Sequence, residues 1–197
     1  MNRLKTFFLS LALASLPAAA SGSDSGPAAD QRQWHPIRPS GLEYTVTAPY
    51  KVDNQLLIEA SPETVFKVLI ESDWREWFVD FKSVEWTSPR PYQVGSTRTV
   101  TTGMLAVKER FLAWDPGRRL SFSIDAVNWP LLEGMMEDMQ LEPVDNGRAT
   151  RFHWRVFYTP GPLMAAVHPI AGAIFGNTFT QSIHNLKKYI EQVTVSR

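Results

Sequence analysis

The chain has 197 residues, and its 20 Lys and Arg balance 20 Asp and Glu, so the formal charge at pH 7 is zero. That balance leaves no basic footprint for nucleic acid or for an anionic membrane surface. There is no Cys, which excludes disulfides, thiolate nucleophiles and cysteine metal sites.

The N-terminal segment reads as an address. Arg3 and Lys5 precede a mostly apolar run over 6–20, and Ala18-Ala19-Ala20 and Ala20-Ser21-Gly22 supply small residues for cleavage. The run is shorter than the ~20 residues a spanning helix needs. Residues 1–22 are therefore expected to be a signal peptide, with an uncleaved anchor as the alternative. The mature chain is expected to be exported, periplasmic or secreted, without an integral membrane span. Without Arg3 and Lys5 the balance is 18 basic to 20 acidic residues. About 175 residues remain, enough for one domain with a sizeable core.

Residues 23–50 read as a flexible spacer followed by an extended arm. Gly, Ser, Ala and Asp dominate its first part, and Trp34, Pro36, Pro39 and Pro49 mark its second. The domain is expected over 51–195. Its first strand covers 51–60. Ser61 then suits a helix N-cap, Pro62 the first turn, and Glu63 the positive end of the helix dipole. Val65, Phe66, Val68, Leu69 and Ile70 form a broad apolar face on this helix, which ends near Glu71. A second, aromatic helix with Trp74, Trp77 and Phe78 is expected over 73–79.

Strands follow, separated by turn residues. They are expected over 82–87, 96–102, 105–114, 120–127, 133–143 and 149–159, with breaks at Pro89-Arg90-Pro91, Gly103, Asp115-Pro116-Gly117 and Asp145-Asn146-Gly147. Alternation is clean in several, as in Leu120, Phe122, Ile124 and Ala126 against Ser121, Ser123 and Asp125. Pro160-Gly161-Pro162 ends the strands, and His168-Pro169 marks a break. From Ile170 the tail is amphipathic, with Ile174, Phe175, Phe179, Ile183, Leu186, Ile190 and Val193 as its apolar stripe.

Four segments carry a resemblance. They are Ile58-Glu59-Ala60-Ser61-Pro62-Glu63-Thr64-Val65-Phe66, Trp114-Asp115-Pro116-Gly117-Arg118-Arg119-Leu120, Thr150-Arg151-Phe152-His153-Trp154, and the closing helix over 179–191 (FTQSIHNLKKYIE). In this order they resemble the START-like, or SRPBCC, superfamily over about residues 51–193, and within it the polyketide cyclase/dehydrase and lipid-transport type. The resemblance implies an α+β helix-grip fold: a curved antiparallel sheet of about seven strands wrapped around a long C-terminal helix, with two short helices after the first strand. It also implies a cavity between sheet and helix, with a hydrophobic small molecule as partner. This fold serves lipid carriers, hormone receptors and cyclases alike, so function has to be argued from the site.

Alternation names a lining for that cavity. Val107, Glu109, Phe111 and Ala113 share one strand face, and Met135, Glu137, Met139 and Leu141 share another. Phe122, Ile124, Trp154, Val156 and Tyr158 join them, with Phe175 and Phe179 from the helix. An apolar, aromatic lining with few polar groups suits a greasy ligand, and methionines let it adapt in shape. Glu109 and Glu137 are the two carboxyls on inward faces, about 9–10 Å apart if one strand separates them. A carboxyl held in an apolar cavity has a raised pKa and can act as general acid or base. Glu109, Glu137 and Tyr158 are thus the catalytic candidates of an enzymatic alternative, a cyclase or dehydratase. Pairing of each carboxyl with an arginine, Arg98 or Arg110, is the structural alternative. His35, His153, His168 and His184 show no i, i+4 metal spacing, and no phosphate-binding loop or Gly-x-Ser-x-Gly elbow is present. No metal or cofactor is implied. A filled interior would instead make the protein an interaction module. Ligand identity and oligomeric state are left open by the sequence.

Overall fold

A computed structural model of the chain describes residues 32–103 and 105–195. The signal-peptide assignment lies outside the described residues. Seven strands form one antiparallel path: β2 (Tyr50–Ile58), β8 (Ala149–Pro160), β7 (Leu132–Val144), β6 (Arg119–Val127), β5 (Leu105–Asp115), β4 (Thr97–Thr102) and β3 (Phe81–Trp86), in that spatial order. Every neighbour beyond the β2–β8 pair is a sequence neighbour, as consecutive hairpins require. The sheet curves around α4 (His168–Val195), the helix-grip arrangement.

After β2, the Ser61 hydroxyl accepts the Thr64 N–H at 3.3 Å and caps α2 (Pro62–Glu71), which buries Val65, Phe66 and Leu69. The aromatic helix expected over 73–79 is only a 3-10 turn, Trp74–Glu76. Its indoles bond back to the end of α2: Trp74 Nε1 donates to the Leu69 carbonyl at 2.9 Å and Trp77 Nε1 to the Ser72 hydroxyl at 3.0 Å. Asp80, at φ +56°, then turns the chain into β3.

Two β-bulges redirect the inward set. On β5 the register shifts between Phe111 and Ala113, so Ala113 pairs with Ser121, whose hydroxyl donates to Asp138 on the outer face. Ala113 is therefore not part of the inward lining the alternation assigned to it. A second shift near Lys108 and Glu109 lets Val127, fully buried, replace Ala126 on the inner face; Ala126 pairs outward with Pro36 and Lys108.

The arm is part of the sheet. The two-residue strand β1 (His35–Pro36) pairs with Val127 and Ala126 of β6, beyond the last β6–β7 pair at Ile124 and Met135. A single turn, α1 (Tyr44–Thr47), then crosses the outer face, where Tyr44 packs with Met136 and Phe157. Tyr44 Oη lies 2.6 Å from Thr159 Oγ1.

A one-turn α3 (Pro162–Ala165) leads into α4, with Pro169 at the start of the helix, where a missing N–H costs nothing. Phe179, Ile183, Leu186 and Ile190 are buried as the stripe requires. Ile170 and Ile174 are exposed instead, because Phe175, one residue or 100° further round, takes the inward position. Among the described residues no helix is long and apolar enough to cross a membrane.

Candidate ligand-binding interior

The β4–β5 hairpin sets Arg98 directly opposite Glu109. Both side chains turn into the core, 5% and 4% exposed, and Arg98 Nε donates to Glu109 Oε2 at 2.5 Å. The guanidinium is ringed by aromatic faces, with Trp74, Trp86, Phe111 and Phe122 at 4.8–5.4 Å from its central carbon. Such contacts suit a cation removed from water. Arg98 Nη2 is buried without a hydrogen-bond partner.

Glu137 sits on β7, across β6 from this pair, in register with Phe122. Its Oε2 accepts the Trp154 indole N–H at 2.8 Å. Burial drives the Glu137 carboxyl up to about 8, and the charge of Glu109 adds to that push; the Trp154 hydrogen bond and the Arg98 charge oppose it. Burial also pushes Glu109 up, while the Arg98 charge and hydrogen bond pull it back. A guanidinium stays charged in proteins, so Arg98 favours the ionised form of Glu109, while burial favours the protonated form of Glu137. The interior thus holds the Arg98–Glu109 pair and a second carboxyl, Glu137, whose neutral form, a donor as well as an acceptor, is favoured by burial.

Around these three groups the core is aromatic. Trp154 packs against Trp77, Phe78 and Phe179 at centroid distances of 6.2, 5.9 and 5.5 Å, and Phe175 bridges Phe179 (5.1 Å) and Tyr158 (4.9 Å). The rings lie against one another. Open space of about 630 Å³ is found on the outer face of the sheet, between Gln55, Arg119, Gln140, Arg151 and His153. There Arg119 pairs with Asp138, Arg151 with Glu142 and His153 with Asp53.

The residues named from alternation gather in one cluster. Phe111, Phe122, Ile124, Met135, Met139, Trp154, Val156, Tyr158 and Phe179 belong to the same buried core, with Phe175 packed on it, and Glu109 and Glu137 are buried within the sheet. Tyr158 stands apart from the carboxyls: its hydroxyl is 3.1 Å from His168 Nε2 at the start of α4, and the Tyr50 ring lies tilted against that histidine at a centroid distance of 4.1 Å. Arg110 does not reach the interior, since it pairs outward with Asp125 at 2.7 Å. His184 is exposed on α4. Alternation missed Trp74, Trp77, Phe78 and Trp86 as core aromatics, and it treated Arg98 only as a possible partner. The signal for Arg98 lay in the hairpin: Thr102 opposite Leu105 fixes a register that places Arg98 against Glu109.

Comparison with known proteins agrees with this geometry. The solved aromatase/cyclase ZhuI from Streptomyces sp. R1128 superposes with a TM-score of 0.62 at 12% identity, over 73% of this chain and 94% of that one. TTHA0849 from Thermus thermophilus gives 0.60 at 13% identity, over 73% and 99%. An uncharacterized protein of Mycobacterium tuberculosis is 28% identical over 160 residues, covering 80% of this chain and 94% of its own length. The family model described as polyketide cyclase / dehydrase and lipid transport matches residues 49–191, most of the helix-grip sheet and its closing helix, and the chain belongs to that family.

Proposed function

We propose that the protein binds a hydrophobic small molecule, of the lipid or polyketide-like class, between the sheet and α4, and that it acts as a carrier rather than a catalyst. The observation that supports this reading is Arg98. An unpartnered buried N–H costs about 1–3 kcal/mol, and here it is held among aromatic faces beside a neutral carboxylic acid. An apolar ligand with one carbonyl or hydroxyl acceptor would satisfy Nη2 while its body replaced ring–ring contacts. Access would come from turning Phe78, Phe175 or Phe179, whose rings meet edge-on or tilted. Family membership supports the same class of ligand. The test is titration of the folded protein with an apolar fluorescent probe, together with native mass spectrometry of protein from its own host. One saturable site or a co-purified small molecule is expected. Absence of both would leave the interior as a plain core and the chain as an interaction module.

The elevated Glu137 pKa favours one second reading, a cyclase- or dehydratase-type enzyme with Glu137 as general acid and base beside Arg98 and Glu109. In that case Glu137→Gln would cut turnover of a polyketide-like substrate by about 100-fold with binding retained. Tyr158 contributes less to this reading, because its hydroxyl is engaged by His168.

Arg3 and Lys5 ahead of the apolar run over 6–20 support export, so the proposed site of action is outside the cytoplasm. N-terminal sequencing should find residues 1–22 missing. Intact Met1 on soluble protein would overturn export.

A further inference from the structure

We propose that one end of the domain, built by α1, the start of β2, the 128–131 loop, α3 and the first turns of α4, docks on the surface of an uncharged lipid bilayer. These elements meet in space. Tyr50 opens β2 opposite Tyr158 near the end of β8. Gly161, just after β8, donates its N–H to the Leu131 carbonyl at 2.7 Å. Tyr44 of α1 reaches Thr159 at 2.6 Å.

Most of the large apolar side chains left open to solvent are found here. Trp129, Leu163, Val167, Ile170 and Ile174 are 53–71% exposed, and Tyr50 42%. Val46 of α1 is the most open, at 87%. Exposed large apolar side chains gathered at one end of a domain mark a contact site. Ile170 and Ile174 recur at a spacing of four, so both stand on one side of α4, while Leu163 comes from α3 and Val167 from the turn that joins the two helices.

The charge pattern says what this surface meets. From Val156 to Leu186 the chain has no Asp, Glu, Lys or Arg, although 20% of all its residues are charged. Anionic headgroups would find no basic partners along α3 and the first half of α4, and a protein partner of either sign would find no charge there to fix its register. Aliphatic side chains with a partly exposed Trp and Tyr suit the boundary between headgroups and acyl chains. The apolar groups come from several separate elements, which matches a broad fluid surface better than one helix of a partner. This proposal concerns the outside of the domain and does not depend on what the interior binds.

The absence of Cys allows a direct test. In the full chain, Val167→Cys carries an environment-sensitive dye, and Leu57→Cys, exposed on β2, carries the same dye as control. With phosphatidylcholine vesicles the dye at 167 should shift to the blue and the dye at 57 should not. The shift should persist between about 50 and 500 mM salt, where a charge-driven contact would be screened away. Adding Ile170→Glu and Ile174→Glu to the Val167→Cys chain should weaken vesicle binding by about 10-fold or more, with an unchanged melting temperature. The proposal is overturned if the dye at 167 stays silent, whether the protein ignores the vesicles or binds them through another segment. It is also overturned if both dyes respond alike, or if binding needs anionic lipid and fails in salt. Burial of the 167 dye with rising protein concentration and no lipid would assign the face to a second copy of the chain instead.

Discussion

The two halves of α4 live in different surroundings. From Phe179 onward the helix buries Phe179, Ser182, Ile183, Leu186 and Ile190, and Ser182 Oγ accepts the Val79 N–H at 3.1 Å. Its outer side is polar, and Lys187 Nζ ties it to the Leu57 carbonyl at 2.8 Å. From His168 to Thr178 the same helix reaches the core mainly through Ala171 and Phe175, shows Ile170 and Ile174 to solvent, and contains Gly172 and Gly176. Helices in proteins draw most of their stability from packing. The second half therefore closes the fold, while the first half is held chiefly by one phenylalanine and the Tyr158–His168 contact.

The strongest way to break this comparison is a matched pair of substitutions. Ile183→Asp puts a charge where the side chain is 1% exposed, and should cost about 4 kcal/mol or more and unfold the domain. Ile174→Asp should stay within about 0.5 kcal/mol. Thermal melts that gave equal losses would show that both halves pack alike. Beneath the helix, Glu109→Gln should cost about 3–5 kcal/mol in chemical denaturation, because it strands the Arg98 charge in the core. Replacing the pair together, Arg98→Met with Glu109→Leu, should recover most of that loss.

A smaller effect has a pH signature. The folded state keeps Glu137 protonated up to about 8, whereas the unfolded chain releases that proton near 4.5. Between those values the native state binds more protons, so this group lowers stability as pH rises through the window, and its effect levels off above pH 8. Glu137→Gln, which keeps an acceptor for Trp154, should flatten that decline and stabilise the protein at pH 8 by on the order of a few kcal/mol. A denaturation series from pH 4 to pH 9 that showed the same slope for both proteins would contradict a buried neutral acid. The smallest effect tests the glycines of the looser half. A Cβ at Gly176 would meet only Val52, at 3.7 Å, so Gly176→Ala should gain about 0.5–1 kcal/mol. A Cβ at Gly172 would come within 3.0 Å of His168 Nε2 and press on its bond to Tyr158, so Gly172→Ala should bring no such gain in the same melts.

Much of this was legible in the sequence wherever a local rule decided the outcome. The Ser61 cap, the strand alternation and the inward set around Phe122 and Trp154 needed only short-range pattern. Long-range covering was not legible. Ser121 and Ser123 alternate as solvent-facing residues should, yet both are fully buried, because Asp138 pairs with Ser121 and the arm at Ser40 lies over Ser123. The bulge that turned Ala113 outward leaves no mark in the alternation itself. On α4, Ile174 and Phe175 are consecutive and could not both face inward; hydrophobicity ranks them too closely to choose, and the aromatic neighbours Tyr158 and Phe179 settle it in favour of the ring.

The strand β1 bears on where the folding unit begins. Residues 49–191 carry the family match, but His35 and Pro36 provide the hydrogen-bonding edge for Val127 and Ala126, and Tyr44 covers Met136 and Phe157. A chain trimmed to its recognisable segment would lose that edge and uncover an apolar seam on the back of the sheet, with unpaired backbone beside it, the combination that invites strand-to-strand aggregation. The autonomous unit is therefore longer than the segment that similarity marks out. A tag or cleavage site belongs ahead of Arg32, where it leaves the seam sealed.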